Sequence, residues 1–156
     1  IFIENISVWD NLCIALNTKK SFMASFFYSL NKSDYDKVIS AIKTINLENK
    51  KYLTAKKLSH GEKQWLEIGM LLMQEPDLLL IDEPVAGMTE FETSNTATLL
   101  KTIAKKRTIL VVEHDMKFVE SLDVEIVVLH EGAVLTRGNM NSIKKNKQVI
   151  DVYLGR

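Results

Sequence analysis

The chain has 156 residues, of which 46% are hydrophobic and 26% charged, a composition that allows a folded domain with a real core and excludes a disordered polypeptide. Lys plus Arg and Asp plus Glu each number 20, so the formal net charge is +0 and no excess of positive charge indicates binding to nucleic acid. Cys13 is the single cysteine, which excludes an internal disulfide and fits a reducing compartment, and no apolar run approaches the roughly 20 residues that cross a bilayer.

The first part of the sequence predicts three helices. Each is preceded by a serine that can accept hydrogen bonds from the backbone N–H groups of the first turn, and apolar residues then recur at steps of three and four. The third helix also has a capping box, because Ser59 is followed by Glu62. The predicted helices start after Ser7, Ser33 and Ser59, and the second and third end near Leu47 and Gln74.

The pattern changes at Leu78 to alternating strands and helices. The apolar run 78–81 lacks polar alternation, which predicts a strand covered on both faces of a parallel sheet. Thr89 and Glu92 form a second capping box and predict a helix to about Lys105, before a strand at 108–112. This order of strand, helix and strand predicts an α/β fold with a parallel sheet.

The rest of the chain predicts small elements. Asp115 caps a short helix that ends near Leu122, Glu131 and Gly132 turn a β-hairpin, and residues 141–156 form one or two short helices. These patterns divide the chain into a helical subdomain at 1–57, which leads into the helix at 58–74, and an α/β core at 75–156.

Two adjacent carboxylates follow the first predicted strand. The motif LLLIDEP, residues 78–84, contains Asp82 and Glu83. Ligands of open α/β sheets gather at the carboxyl ends of strands, where one carboxylate can hold Mg²⁺ and the next can orient and deprotonate a water molecule. His114, in VVEHD, follows the next strand and is expected to face the same spot. Taken alone, the acids can also cap a helix, and a lone histidine is usually structural.

The motif LSHGEK, residues 58–63, places Ser59 and Gly61 at the start of a helix. Free N–H groups and the helix dipole suit a phosphate there. The plain alternative is that Ser59 only caps its helix and Gly61 only lets the chain turn. The joint occurrence of LSHGEK, IDEP and EHD in this order favours the functional interpretation. No stretch of the sequence matches GxxxxGK[ST], the loop that cradles nucleotide phosphates.

In order and spacing these motifs resemble the C-terminal two thirds of the nucleotide-binding subunit of ABC transporters. The resemblance implies the C-terminal part of an ABC-type P-loop ATPase domain that uses ATP and Mg²⁺. It implies that LSHGEK is the signature motif, which binds the nucleotide of a second subunit. The signature residues are Ser59, His60, Gly61 and Glu62.

The same resemblance assigns the residues that follow the strands. It makes LLLID the Walker B strand and Asp82 the residue that binds Mg²⁺. Glu83 becomes the catalytic carboxylate, and His114 becomes the switch histidine that senses the γ-phosphate. The complete protein is then an ATP-hydrolysing enzyme.

Four longer segments resemble one particular group of ABC transporters. The segments LSHGEKQWLEIGMLLM, DEPVAGMT, VVEHDM and VIDVYLGR are similar to ATPase subunits of the branched-chain amino-acid transporter group, of which the urea-uptake type is closest. This implies a subunit that energises an importer of urea, short-chain amides or branched-chain amino acids. It also implies a second ATP-binding subunit, identical or different, membrane permease subunits and an extracytoplasmic solute-binding protein. The implied location is peripheral, on the cytoplasmic face of the inner membrane.

Three departures from the family pattern stand out. His60 and Glu62 differ from the usual LSGGQ, and we expect Glu62 to fold back onto the Ser59 amide as in a capping box. Thr89 stands where most relatives carry the aspartate of the D-loop. The phosphate loop would precede residue 1, so we expect the chain to be a fragment that is inactive by itself.

Two other classes of function remain open. A soluble ABC-type ATPase head of DNA repair or chromosome organisation shares the signature and Walker B motifs, although the heptad repeats or basic face that would support it are not present in the sequence. A non-enzymatic module that only docks on a membrane partner through residues 1–57 is the second alternative.

Overall fold

The computed structural model describes residues 2–16 and 30–153. The chain forms two compact units, Ile1–Val112 and Glu113–Arg156. The predicted division into a helical subdomain at 1–57 and a core at 75–156 stays a prediction. The sequence VYLGR, used above for the urea resemblance, ends in residues 154–156, which lie outside the described residues.

The first unit opens with helices whose starts depend on side-chain caps. Helix α1, Val8–Ala15, is capped by Ser7, whose side chain accepts the Asp10 N–H as predicted. Helix α2, Lys32–Thr44, is capped by Asn31, so the prediction that Ser33 caps it is wrong. The Asn31 side chain accepts the Asp34 N–H at 2.8 Å, and this bond starts the helix two residues earlier, which leaves Ser33 inside its first turn.

Helix α3, His60–Met73, follows two short 3₁₀ turns and packs on α1 and α2. A Cβ added at Gly69 would lie 2.7 Å from Ile45 Cδ1 and 3.1 Å from Leu12 Cδ2. The glycine therefore lets α3 approach its neighbours closely. Apolar side chains fill this core: Val8, Leu12, Val38, Ile42, Ile45, Leu47 and Leu66 are buried.

The sheet of the first unit is a strand, helix, strand motif. Strand β1, Leu78–Asp82, is followed by helix α4, Glu90–Ala104, and strand β2, Thr108–Val112. The two strands are parallel, and Asp82 pairs with Val112 at their carboxyl ends. The predicted α/β fold with parallel strands is confirmed.

One face of this sheet is exposed. Leu79 and Ile81 are buried, whereas Leu78 is 50% and Leu80 is 65% exposed. On β2, Leu110 is 55% exposed. The prediction that β1 is covered on both faces is wrong for the described residues, because the Leu78 and Leu80 side chains on this face of the strand are at least half exposed.

The second unit is smaller. Helix α5, Met116–Leu122, is capped by Asp115 as predicted. Strands β3, Ile126–His130, and β4, Ala133–Gly138, form the predicted antiparallel hairpin. Glu131 and Gly132 turn it with positive φ values of 47° and 77°, as tight hairpin turns require. Helices α6, Met140–Lys145, and α7, Lys147–Tyr153, follow.

Burial in the second unit centres on a few apolar side chains. Phe118 of α5, Ile143 of α6 and Val149 of α7 are buried. Nowhere in 2–16 or 30–153 is there a helix with the length and apolar character needed to span a membrane.

Candidate functional site

The start of α3 carries the first predicted site. Ser59 Oγ accepts the Glu62 N–H at 3.3 Å, and a Glu62 carboxylate oxygen accepts the Ser59 N–H at 3.0 Å. The other Glu62 oxygen lies 2.5 Å from Lys50 Nζ. The expectation that Glu62 folds back onto the Ser59 amide is confirmed. The two oxygens of the Glu62 carboxylate therefore accept from the Ser59 N–H and from Lys50 Nζ. The capping box keeps the first turn of α3 in one conformation.

His60 links the start of α3 to the loop that follows β1. Its Nε2 atom lies 3.0 Å from the carbonyl oxygen of Ala86. The ring also lies 3.7 Å from the position that a Cβ would occupy on Gly87, which has a φ of +71°. His60 therefore contacts the segment that connects β1 to α4.

Asp82 and Glu83 lie at the carboxyl end of β1, and both are exposed. The Glu83 N–H donates to the carbonyl oxygen of Val112 at 2.9 Å, so the backbone is fixed to β2 one residue beyond the strand. Glu83 has a φ of +45°. Positive φ is uncommon for residues other than glycine, and the strain that it stores is concentrated at functional sites.

Thr89 starts α4 with the second predicted capping box. Its Oγ1 accepts the Glu92 N–H at 3.3 Å. One Glu92 carboxylate oxygen, Oε2, accepts from the Thr89 N–H at 3.0 Å and from Thr89 Oγ1 at 2.9 Å. Thr89 and Glu92 therefore form the predicted capping box at the start of α4.

Glu92 has a second contact, beyond its predicted capping box, that the sequence analysis did not predict. Its other oxygen, Oε1, accepts a hydrogen bond from Ser59 Oγ at 2.8 Å. The Thr89 amide, then the Ser59 and Thr89 hydroxyls, hold the pKa of this carboxyl below its usual range. The capping-box pattern in the sequence predicts the bond between Glu92 and Thr89. No pattern in the sequence predicts the contact between Glu92 and Ser59. An open cleft of about 540 Å³ at this place is lined by Ser59, Thr89 and Glu92, among others.

His114 belongs to the second unit. Its side chain is 76% exposed, and Nδ1 lies 3.6 Å from Oε1 of Glu113, whose side chain is only 2% exposed. Glu113 Oε1 also accepts the N–H groups of His114 and Asp115, at 3.0 and 3.1 Å. Glu113 thus holds the turn that presents the imidazole, a role that we did not predict. The convergence of His114 with the carboxylates of Asp82 and Glu83 stays a prediction.

The carboxylate of Asp82 is a chemically suitable ligand for the expected Mg²⁺ ion. Mg²⁺ takes oxygen ligands and is usually held by one or two carboxylates together with phosphate oxygens and water. An exposed carboxylate at the end of β1 is such a ligand. Within the ranges that the structure describes, no three His, Cys, Asp or Glu side chains group closely enough to hold a metal by themselves.

A comparison with known protein families shows to which family the chain belongs. The family profile described as ABC transporter matches residues 2–86, which is more than half of the 156 residues. The chain therefore belongs to the ABC transporter family. The matched region includes the start of α3, β1, Asp82 and Glu83.

One relative indicates which group of ABC transporters the chain is similar to. The chain is 34% identical to the high-affinity branched-chain amino acid transport ATP-binding protein BraF of Pseudomonas aeruginosa, in a match that covers 97% of this chain and 63% of BraF. The chain thus spans less than two thirds of the length of this relative.

Two solved structures have a similar fold. MJ1267, an ATP-binding cassette of an ABC transporter, matches 97% of this chain and 64% of its own, with a TM-score of 0.80 and 23% identity. The protein cbiO1 from Clostridium perfringens, part of the ABC transporter complex cbiONQ, matches 99% of this chain and 59% of its own, with a TM-score of 0.76 and 28% identity. The predicted ABC-type fold is confirmed.

Proposed function

We propose that the whole protein is the ATP-hydrolysing subunit of an ABC importer. The observation that carries the proposal is the pair of exposed carboxylates, Asp82 and Glu83, at the end of β1. Glu83 has a left-handed backbone conformation there, and its N–H donates to the carbonyl oxygen of Val112. Membership of the ABC transporter family supports the same reading.

The proposed roles follow from the chemistry of each group. Mg²⁺, when bound with ATP, neutralises charge on the phosphates, and Asp82 is the carboxylate that holds it. Glu83 accepts a proton from the attacking water and orients it. His114 donates a hydrogen bond to the terminal phosphate of the same nucleotide.

The signature residues act on the nucleotide of a second subunit. Ser59 Oγ–H and the Gly61 N–H donate to its terminal phosphate at the start of α3, where the helix dipole favours an anion. Glu62 supports this arrangement from behind, because its carboxylate binds the Ser59 amide and Lys50. His60 connects the signature to the loop after Glu83 through its contact with Ala86.

The proposal requires a phosphate loop that these 156 residues do not contain. Each charge-assisted hydrogen bond contributes roughly 1.5 to 3 kcal/mol, and a phosphate loop makes several. Losing even about 4 kcal/mol weakens binding about a thousandfold. Residues 1–156 by themselves therefore show no saturable ATP turnover.

The proposed partners are a second ATP-binding subunit, membrane permease subunits and an extracytoplasmic solute-binding protein, at the cytoplasmic face of the membrane. The identity with BraF supports a branched-chain amino acid as solute. The segment QWLEIGMLLM and the ending VYLGR support urea or a short-chain amide. We favour urea, since the longer motifs resemble that type most closely.

Uptake into vesicles tests the function and the solute together. The whole protein, reconstituted with its permease and solute-binding subunits, is expected to import radiolabelled urea only when ATP and Mg²⁺ are supplied on the side that bears the ATP-binding subunits. Import of leucine in place of urea contradicts the solute. Uptake that is independent of ATP contradicts the proposed function.

A further inference from the structure

The donors proposed to bind phosphate already hold an anion of the same chain. Glu92 Oε1 accepts from Ser59 Oγ at 2.8 Å, across 33 residues of sequence. The Gly61 amide also contributes to the lowered pKa of this carboxyl, after the Thr89 and Ser59 groups. A Cβ on Gly61 would lie 2.8 Å from the carboxyl carbon of Glu92. The glycine therefore makes room for the carboxylate at the start of α3.

The second carboxylate oxygen is anchored independently. Oε2 accepts from the N–H and the Oγ1 of Thr89 at 3.0 and 2.9 Å. The Glu92 carboxylate thus bridges the first turns of α3 and α4. If the bond from Ser59 to Oε1 is lost, the two bonds from Thr89 still hold Oε2 at the first turn of α4.

A phosphate and the Glu92 carboxylate compete for Ser59. The hydroxyl has one proton to donate, and its oxygen already accepts the Glu62 N–H. That proton goes to Glu92 or to a phosphate but not to both. Two anions at one helix start also repel each other. Glu62 adds little to this repulsion, because Lys50 lies 2.5 Å from its carboxylate.

We propose that Glu92 is an internal competitor of the nucleotide: its carboxylate occupies Ser59 and Gly61 until a phosphate held by a second subunit displaces it, while Thr89 retains its other oxygen. This inference rests on the proposed function of the signature motif. The contact between Glu92 and Ser59 is then autoinhibitory. It raises the concentration of nucleotide that is needed for two subunits to close together.

A matched pair of variants tests the competition. Glu92→Gln removes the charge and preserves the capping box, which accepts glutamine as well as glutamate. Glu90→Gln removes a carboxylate from the same turn of α4 and serves as the control. Amide NMR shifts of residues 59–61 in the protein report the binding of inorganic phosphate without any need for hydrolysis.

The expected result is a phosphate affinity that rises about two- to fivefold in Glu92→Gln, the size of one charge interaction near the surface, and stays at the wild-type value in Glu90→Gln. In the whole protein, Glu92→Gln is expected to lower the KM for MgATP by a similar factor. Unchanged or weaker phosphate binding in Glu92→Gln, including no binding at all, overturns the inference. A whole protein without ATP turnover contradicts the proposed function instead, and the phosphate titration still decides the role of Glu92.

Discussion

Thr96 is the buried polar residue that joins α3 to α4. It is 0% exposed, and its Oγ1 accepts the indole N–H of Trp65 at 2.8 Å. The same hydroxyl donates to the carbonyl oxygen of Glu92 at 2.9 Å. Because Ser59 and Glu92 lie at the starts of these two helices, this bond helps to fix the two side chains relative to each other.

Replacing Thr96 by valine tests this bond. The change keeps the shape and leaves the buried Trp65 N–H without its acceptor, which costs about 1 to 3 kcal/mol of unfolding free energy. Thr98→Val is the control, since Thr98 is exposed on the same helix and its hydroxyl donates to the Ser94 carbonyl oxygen within that helix at 3.1 Å. Urea unfolding followed by circular dichroism measures both. Equal free energies for the two variants would refute the importance of the Trp65 bond.

At the residue scale, predictions succeeded where partners are close in sequence. Glu62 turns toward Ser59 as expected, because a capping box joins residues only three apart. The contact between Glu92 and Ser59 joins residues 33 apart. Such a contact depends on how α3 and α4 pack, and a local pattern does not contain that information.

At the element scale, the start of α2 shows how two candidate caps are separated. Asn31 and Ser33 both precede a run of helical period, and both residue types are good caps. Asn31 has Asp34 three residues ahead, and the two side chains also bond each other at 3.0 Å. That additional bond favours the earlier start that the structure shows.

Removal of the two candidate caps tests this assignment. Asn31→Ala is expected to lower the free energy of unfolding by about 1 kcal/mol, as the loss of a cap does. Ser33→Ala should change it by less than about 0.5 kcal/mol, because alanine is the better helix former at an interior position. Thermal unfolding of both variants gives the comparison. A larger loss for Ser33→Ala would restore Ser33 as the cap.

Strand β1 shows the limit of hydrophobic patterning. A continuous apolar run is typical of a strand with two covered faces, yet Leu78 and Leu80 are exposed in the described residues. The run predicted the strand and its parallel pairing correctly. Which face is covered depends on the elements that pack over it, and these are not encoded within the strand.

At the scale of the whole molecule, the order of elements predicted the class of fold. The segment 78–112 consists of a strand, a capped helix and a second strand. Its two strands pair in parallel because the helix carries the chain back to the end of the sheet at which the first strand began. The division into compact units after Val112 has no Pro-, Gly- or Ser-rich linker to mark it. A local sequence pattern therefore does not indicate this division.

Glu83→Gln in the whole protein is the sharpest test of the proposed role of Glu83 as the base in ATP hydrolysis. Turnover of MgATP is expected to fall by roughly 10²- to 10⁴-fold, the usual contribution of a positioned base, while equilibrium binding of ATP stays at the wild-type level. Glu90→Gln, which removes an exposed carboxylate seven positions later, is expected to leave turnover unchanged. Wild-type turnover in Glu83→Gln would exclude Glu83 as the base.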